Sequence, residues 1–338
     1  MMRKEHLNVL TLTSITLILF LAVSCNSPVE PDPGTNPSGN VVAWFNGLAN
    51  TVDLYFPESD LLVSTAYITG DAPNDFFYLG SDKLAVLSSL SSVLHVVDLS
   101  VSGSLLHEIT FPGGSNPWAM AYDNGKIWVT FLLTGQIAAV STDSWTLGET
   151  VDVTEYPYGI TIASGSIFVS HGDYTEPNPP GGVTVLDAVT LEETGWIDTG
   201  QNTIDLWYCS ETGNIHAFSY TYTDNDDGVV SIIDPVTATI KAQVQTGGTP
   251  HSPVRVGSSF ACCDWGSSIF FYSESGSLLS TWVLDTSITL AGLAVSGDTL
   301  YMTDFDGDKV YRALWQSQVL LGSLTAGDGP QGIIAIER

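Results

Sequence analysis

Positively charged residues are scarce in this sequence. Only 9 Lys and Arg stand against 37 Asp and Glu, which gives a formal net charge of −28. So acidic a surface repels a phosphate backbone, and nucleic-acid binding is therefore excluded. Charged residues of either sign make up only 14% of the chain, whereas hydrophobic residues make up 44%. A disordered chain would need the opposite balance, so a folded body is expected.

Long hydrophobic runs are nearly absent as well. The one such run covers residues 9–23, after a short basic start and before Ser24 and Cys25. It is too short and too rich in Thr and Ser for a transmembrane helix. A basic start, a short apolar stretch and a small residue at its end are typical of a secretory signal peptide. We therefore predict that residues 1–24 are a signal peptide.

The end of this segment, Leu-Ala-Val-Ser-Cys at 21–25, resembles the lipobox of bacterial lipoproteins, although Val23 departs from its usual pattern. The resemblance implies that Cys25 is lipidated and anchors the mature protein in a membrane of the bacterial cell envelope. Asn26 stands where Asp would signal retention at the inner membrane, which favours the outer membrane, with a periplasmic or surface-facing orientation. Residues 25–39 are rich in Pro, Gly, Ser and Asn and would form an extended tether. The alternative is an ordinary signal peptide with an incidental Cys.

Cysteine is also rare. Besides Cys25 the chain has Cys209, Cys262 and Cys263, and an odd number leaves at least one thiol unpaired within the chain. Adjacent residues of a strand point to opposite faces, so Cys262 and Cys263 are expected to be small buried residues on the two sides of one sheet. A disulfide from Cys209 to either of them is the alternative.

One sequence unit recurs through the rest of the chain. An anchor residue, usually Pro, is followed by an apolar strand, a tight turn and a second strand. The anchors stand 40–47 residues apart at Pro73, Pro117, Pro157, Thr203, Pro250, Leu290 and Pro330. This period, with several strands per unit, is typical of a β-propeller. The sequence therefore predicts an all-β, seven-bladed β-propeller of four-stranded blades over residues 40–338, in which one C-terminal strand completes a blade with three N-terminal strands.

The second strands contain related phrases: Ile-Trp-Val-Thr at 127–130, Ile-Phe-Val-Ser at 167–170 and Leu-Tyr-Met-Thr at 300–303. Together with the Gly-x-x-Pro phrases that end in the anchor Pro, at 70–73, 114–117, 247–250 and 327–330, they resemble the repeat of YVTN/YncE-type seven-bladed propellers over nearly all of residues 40–338. The Asn of the name is absent here, and Thr203 and Leu290 replace the anchor Pro. That family includes surface-layer and cell-envelope proteins and its repeat has no catalytic motif, so the resemblance implies a binding or scaffold role.

Propeller topology places the residues that follow each anchor around the central channel, on the face that also carries the loops between second and third strands. The candidate ligand-binding residues on this face are Asn74, Asp75, Trp118, Tyr158, His171, Asp205, Tyr222, His251, Trp265, Asp304 and Gln331. Aromatic faces stack on sugars or cations, and carboxylates accept hydroxyl or ammonium donors. We expect a protein, glycan or cation ligand. The alternative is that the acids and amides make turns and the aromatic residues fill the blades.

Catalytic signatures are absent: there is no G-x-S-x-G, no H-E-x-x-H and no Gly-rich phosphate loop. We therefore expect a monomeric binding protein that is not an enzyme and has no cofactor. The alternative is a lyase or lactonase-like enzyme that uses His171, His251 and a divalent metal. Acidic loops at 224–228 and 304–308 resemble calcium loops, but both lack the full ligand pattern, and turn formation explains them better.

The predicted lipid on Cys25 can be tested by cell fractionation. A Cys25→Ala variant should lose lipidation and move from the membrane fraction to the soluble fraction, whereas a Cys209→Ala variant should stay with the membranes. Immunoblots of both fractions measure this. A Cys25→Ala protein that still partitions with membranes would refute the lipoprotein prediction.

Overall fold

The computed structural model describes residues 39–100, 103–173, 175, 181–200, 202–221 and 227–338. The predicted signal peptide, Cys25 and nearly all of the tether lie outside the described residues. Over the described ranges, no helix is long and apolar enough to cross a membrane.

The described residues form 28 strands in seven four-stranded antiparallel sheets, each a blade. Blade I contains β28 (Pro330–Ile336), β1 (Val41–Asn46), β2 (Thr51–Phe56) and β3 (Leu61–Ile68). Blade II contains β4 (Pro73–Gly80), β5 (Lys83–Ser88), β6 (Val93–Asp98) and β7 (Leu105–Thr110). Blade III contains β8 (Pro117–Asp123), β9 (Lys126–Phe131), β10 (Gln136–Ser141) and β11 (Thr146–Asp152). Blade IV contains β12 (Pro157–Ala163), β13 (Ser166–His171), β14 (Gly182–Asp187) and β15 (Glu193–Asp198). Blade V contains β16 (Thr203–Cys209), β17 (Asn214–Ser219), β18 (Val229–Asp234) and β19 (Thr239–Gln245). Blade VI contains β20 (His251–Val256), β21 (Ser259–Cys263), β22 (Ser268–Tyr272) and β23 (Leu278–Val283). Blade VII contains β24 (Leu290–Ser296), β25 (Thr299–Asp304), β26 (Lys309–Leu314) and β27 (Val319–Thr325).

The seven-bladed propeller is confirmed, including its closure. In blade I the C-terminal strand β28 pairs antiparallel with β1, and the order β28-β1-β2-β3 combines one C-terminal with three N-terminal strands. The first strands of successive blades contact one another all the way round, from β4 through β8, β12, β16, β20 and β24 to β28 and back to β4. This closure removes the two unpaired sheet edges that an open ring would expose.

The core of the propeller lies between the blades. Seven buried apolar clusters in the described part of the chain each join two neighbouring blades. The second strands are almost wholly buried because both of their faces meet another blade, whereas outermost strands such as β11 and β27 are largely exposed. This explains the continuous apolar phrases at 127–129 and 167–169, since a strand covered on both faces has no polar side.

The three described cysteines follow the same layering. Cys262 packs in the cluster between blades V and VI together with Cys209, and Cys263 packs in the cluster between blades VI and VII. All three are buried free thiols. The prediction that the adjacent pair points to opposite faces is confirmed, and the alternative of a disulfide from Cys209 is not formed in this structure.

The Thr or Ser near the end of a second strand joins strands within and between blades. In blade III the Thr130 hydroxyl accepts the backbone N–H of Ala119 at 3.0 Å and donates to the carbonyl of Tyr158, in blade IV, at 2.8 Å. In blade VII the Thr303 hydroxyl donates to the carbonyl of Gln331, in blade I, at 2.6 Å. The innermost strands bulge at this level, and the hydroxyl satisfies backbone groups that the bulge leaves unpaired.

These hydroxyls predict a stability effect. Thr130→Val keeps the shape of the side chain but leaves the Ala119 N–H buried without its acceptor, so the free energy of unfolding should fall by about 1–3 kcal/mol. Thr150→Val, on the exposed strand β11, is the control and should change it by less than about 0.5 kcal/mol. Urea denaturation measures both. Equal stabilities of the two variants would show that this bond contributes nothing.

Candidate functional site

A cavity of about 720 Å³ opens where the seven innermost strands meet. Its lining residues are Phe45, Asn74, Asp75, Asn116, Trp118, Ala119, Leu132, Leu133, Tyr158, Gly159, Ile204, Asp205, Tyr220, His251, Ser252, Trp265, Ala291, Gln331 and Gly332. All seven blades contribute to this set. The volume lies in the range of small-molecule sites.

The repeat positions these side chains. The residue one place after each anchor lines the cavity in every blade, and we call these seven the inner ring: Asn74, Trp118, Tyr158, Ile204, His251, Ala291 and Gln331. The residue two places after each anchor faces the next blade, and we call these seven the link positions: Asp75, Ala119, Gly159, Asp205, Ser252, Gly292 and Gly332. One ring thus presents side chains to the cavity, and the other holds the blades together.

The link positions connect neighbouring blades in different ways. Asp75 accepts the backbone N–H of Met120 at 2.7 Å, and the Ser252 hydroxyl accepts that of Leu293 at 2.9 Å. Gly159 makes no such bond. There the backbones approach so closely that a Cβ at Gly159 would lie 2.7 Å from the amide nitrogen of Leu206. Position 159 therefore requires glycine.

Two of the link positions carry carboxyl groups that border the cavity. Burial, and to a lesser degree the nearby Asp205 carboxyl, raises the pKa of Asp75 to about 7. Burial also raises the pKa of Asp205 to about 6. At Asp75 this increase in pKa exceeds the lowering by the backbone N–H groups of Met120 and Phe76. At Asp205 it exceeds the lowering by those of Leu206 and Ser252. Ionising either group in the cavity wall is therefore costly.

Aromatic rings form much of the wall. Trp118 and Tyr158 meet edge to face, with ring centroids 5.5 Å apart. On the other side Trp265 stacks on His251 at 4.8 Å, and its edge contacts Phe305. Burial lowers the pKa of His251, which disfavours its charged form, and its Nδ1 donates to the carbonyl of Thr249 at 3.0 Å. No Lys or Arg is among the residues that line the cavity.

Eight of the eleven sequence-predicted site residues line this cavity: Asn74, Asp75, Trp118, Tyr158, Asp205, His251, Trp265 and Gln331. Two others, His171 and Asp304, do not line it, and both end a second strand. His171 Nδ1 donates to the Glu155 carbonyl and Nε2 accepts the Thr184 hydroxyl, and burial lowers its pKa to about 4. Asp304 accepts the N–H of Thr289 at 2.9 Å. These side chains hold the loop before their own blade's first strand, which explains their position. Tyr222 lies outside the described residues.

Four polar or aromatic lining residues were not among the predicted site residues: Phe45, Asn116, Tyr220 and Ser252. Ser252 occupies a link position and could have been found from the repeat alone. Asn116 precedes an anchor, and Phe45 and Tyr220 come from the second strand of blade I and the residue after β17. The repeat carries no signal for Phe45 and Asn116, because their side-chain directions depend on the packing of other blades, whereas the position of Tyr220 in the loop after a second strand does point to this face.

Among the described residues, no group of three or more His, Cys, Asp or Glu side chains is placed to hold a metal ion. In the 304–308 loop, Asp304 and Asp308 accept the backbone N–H groups of Gly307 and Gly329. The first of these bonds closes the turn, and the second ties the loop to the residue before β28. The other acidic loop lies mostly outside the described residues.

The fold and cavity define a seven-bladed β-propeller with a central pocket. Solved structures of that architecture are similar at low identity. Citrobacter koseri AztD matches with a TM-score of 0.63 at 11% identity, over 89% of this chain and 99% of its own. A streptogramin B lyase matches at 0.65 and 13%, over 89% and 92%, and Kuenenia stuttgartiensis hydrazine synthase at 0.65 and 13%, over 78% and 89%. At this identity the likeness shows the fold alone. No protein-family model and no curated protein sequence matches the chain.

The raised pKa values predict a pH-dependent stability. A carboxyl group whose folded pKa lies above its unfolded value binds more protons in the folded state, so stability is lost as pH rises from about 4 to about 7. A double Asp75→Ser, Asp205→Ser variant retains a hydroxyl like that of Ser252 but no titrating group. Its fall in unfolding free energy between about pH 4.5 and about pH 8 should be smaller than the wild-type fall by about 5 kcal/mol.

The control for this measurement is Asp143→Ser, which removes an exposed acid from a turn in blade III. It should leave the wild-type pH dependence unchanged. Chemical denaturation at the two pH values tests all three proteins. An identical pH dependence in the double variant and the wild type would contradict the assignment.

Proposed function

We propose that this protein is a membrane-tethered, monomeric binding protein of the bacterial cell envelope, which takes a neutral or cationic ligand into the central cavity of its propeller. The single observation that carries the proposal is the cavity itself. All seven blades contribute to it, and it combines aromatic walls with buried carboxyl and amide groups. Few convergent polar groups in a largely apolar pocket are typical of ligand sites.

The charge of the site supports a neutral or cationic ligand. The lining contains Asp75 and Asp205 but no Lys or Arg, and the mature chain has few cations elsewhere to offset its acidic residues. An anionic ligand would meet two carboxyl groups and no countercharge. A glycan, a cationic small molecule or a protein segment without acidic residues fits better.

The envelope location rests on the sequence. The Leu-Ala-Val-Ser-Cys phrase at 21–25 and the tether that follows support a lipid anchor on Cys25, with the outer membrane favoured by Asn26. The YVTN-type phrases support placing the propeller with the YVTN/YncE-type repeat proteins. A tethered propeller would present its cavity at a distance from the membrane, as a binding or scaffold protein needs.

The enzymatic alternative has less support. It needs His171 and His251 to act together, but the described contacts of His171 are to Glu155, Thr184 and Trp196, away from the cavity lining. Only His251 borders the cavity, and its Nδ1 is bonded to Thr249. A binding role requires no such pair.

A ligand screen tests the proposal. Thermal-shift and calorimetric screens of glycans and of cationic, neutral and anionic small molecules should give hits among neutral or cationic compounds only. Trp118→Ala should weaken those hits by about tenfold through loss of an aromatic wall. The matched control is Trp315→Ala, which removes a partly buried Trp that does not line the cavity, and it should leave affinity unchanged. A ligand role for the cavity would be refuted if the Trp118→Ala and Trp315→Ala variants bound every hit with equal affinity, or if the screen gave no hits at all.

A further inference from the structure

The two carboxyl groups at link positions supply more than the link between blades requires. At the equivalent position Ser252 accepts the next blade's N–H with a neutral hydroxyl, and at Gly159 and Gly292 the backbones approach with no side chain at all. Five of the seven link positions thus hold neutral residues. What Asp75 and Asp205 add is negative charge, and burying that charge is costly.

The protein supplies no countercharge among the lining residues. Neither Lys nor Arg lines the cavity, and burial lowers the pKa of His251, the one imidazole there, which disfavours a positive charge on it. The two carboxyl groups also repel each other, since Asp205 raises the pKa of Asp75. A cation between them would relieve both costs at once.

Hydrogen-bond acceptors are left over in the same region. Each oxygen of Asp75 accepts one backbone N–H, from Phe76 or Met120, which leaves further lone pairs free. Among the described residues, the side-chain oxygens of Asn74 and Asn116 are buried and have no hydrogen-bond partner. Both residues line the cavity. A ligand group with several N–H donors would satisfy these acceptors.

The order of side chains around the ring places these features together. Asp75 of blade II and Asp205 of blade V flank the edge-to-face pair of Trp118 in blade III and Tyr158 in blade IV. The other three blades contribute neutral inner-ring residues. One sector of the cavity therefore reads acid, aromatic, aromatic, acid, which is the arrangement that holds a cation by charge and by aromatic faces.

We infer that the cavity binds an organic primary ammonium compound, with its ammonium group between Asp75 and Asp205 and its apolar part along the aromatic wall. This inference rests on the proposed function and names its ligand class. The cavity of about 720 Å³ is far larger than a bare metal ion needs, and the described residues offer no cluster of three metal-ligating side chains. A neutral sugar would not offset the two buried charges.

A matched set of three probes tests the ligand class on the purified full chain. Phenethylammonium, 2-phenylethanol and phenylacetate share a ring and a short chain but differ in charge. We expect the ammonium compound to bind at least about tenfold more tightly than the alcohol, because charged hydrogen bonds are stronger than neutral ones, and phenylacetate not to bind. Isothermal titration calorimetry measures all three, with CaCl₂ as a fourth probe.

Variants locate the ammonium group. Asp75→Asn and Asp205→Asn should each weaken phenethylammonium by about tenfold and leave 2-phenylethanol unchanged. Asp143→Asn removes the same charge from an exposed turn and should change neither affinity. The probe series on the unmodified protein needs no variant, so the test stands even if a substitution at a link position prevents folding.

The outcomes separate this inference from the proposed function. Equal binding of the amine and the alcohol, or calcium displacing the amine at the same carboxyl groups, would overturn the ammonium assignment and leave a ligand-binding cavity in place. If none of the three probes binds but the screen finds neutral compounds whose binding depends on Trp118, the ammonium assignment is likewise overturned and the ligand-binding cavity stands. Failure of the probes with no Trp118-dependent hit of any kind would overturn both.

Discussion

The close approach of seven innermost strands around one axis is the constraint on which the rest of this structure depends. Backbones that converge this closely leave amide and carbonyl groups without backbone partners, and side chains of the same blade or of a neighbouring blade must satisfy them. The chain meets this demand with a carboxyl or hydroxyl at a link position or a Thr hydroxyl from the second strand, and glycine at a link position lets neighbouring backbones approach closely. Asp75, Thr130 and Gly159 are examples.

This constraint also creates the site. Residues at the link positions face the next blade. The inner-ring residues, one place earlier, point to the central cavity instead, and all seven of them line it. The cavity is thus built on strands whose positions are fixed by inter-blade bonds rather than on loops alone. Where the link residue is an acid, one side chain performs both tasks, which places a buried charge at the margin of the cavity.

The repeat made much of this predictable. The anchor spacing identified the blade number and the closure, and the position after the anchor identified Trp118, Tyr158, His251 and Gln331 as neighbours. The sequence could not reveal where a side chain at a strand end points. His171 and the other strand-end candidate are held by hydrogen bonds within their own blades, whereas residues such as Phe45 reach the cavity from strands that the repeat argument ignored. Such directions depend on packing between distant parts of the chain.

The most direct test of the account is a crystal structure of the full chain grown with a compound from the ligand screen. The account predicts density for that compound in the central cavity, against Trp118 and Tyr158 and within hydrogen-bond distance of Asp75 or Asp205. A compound bound instead on the outer surface of the blades, with the central cavity filled by the protein's own side chains, would contradict it.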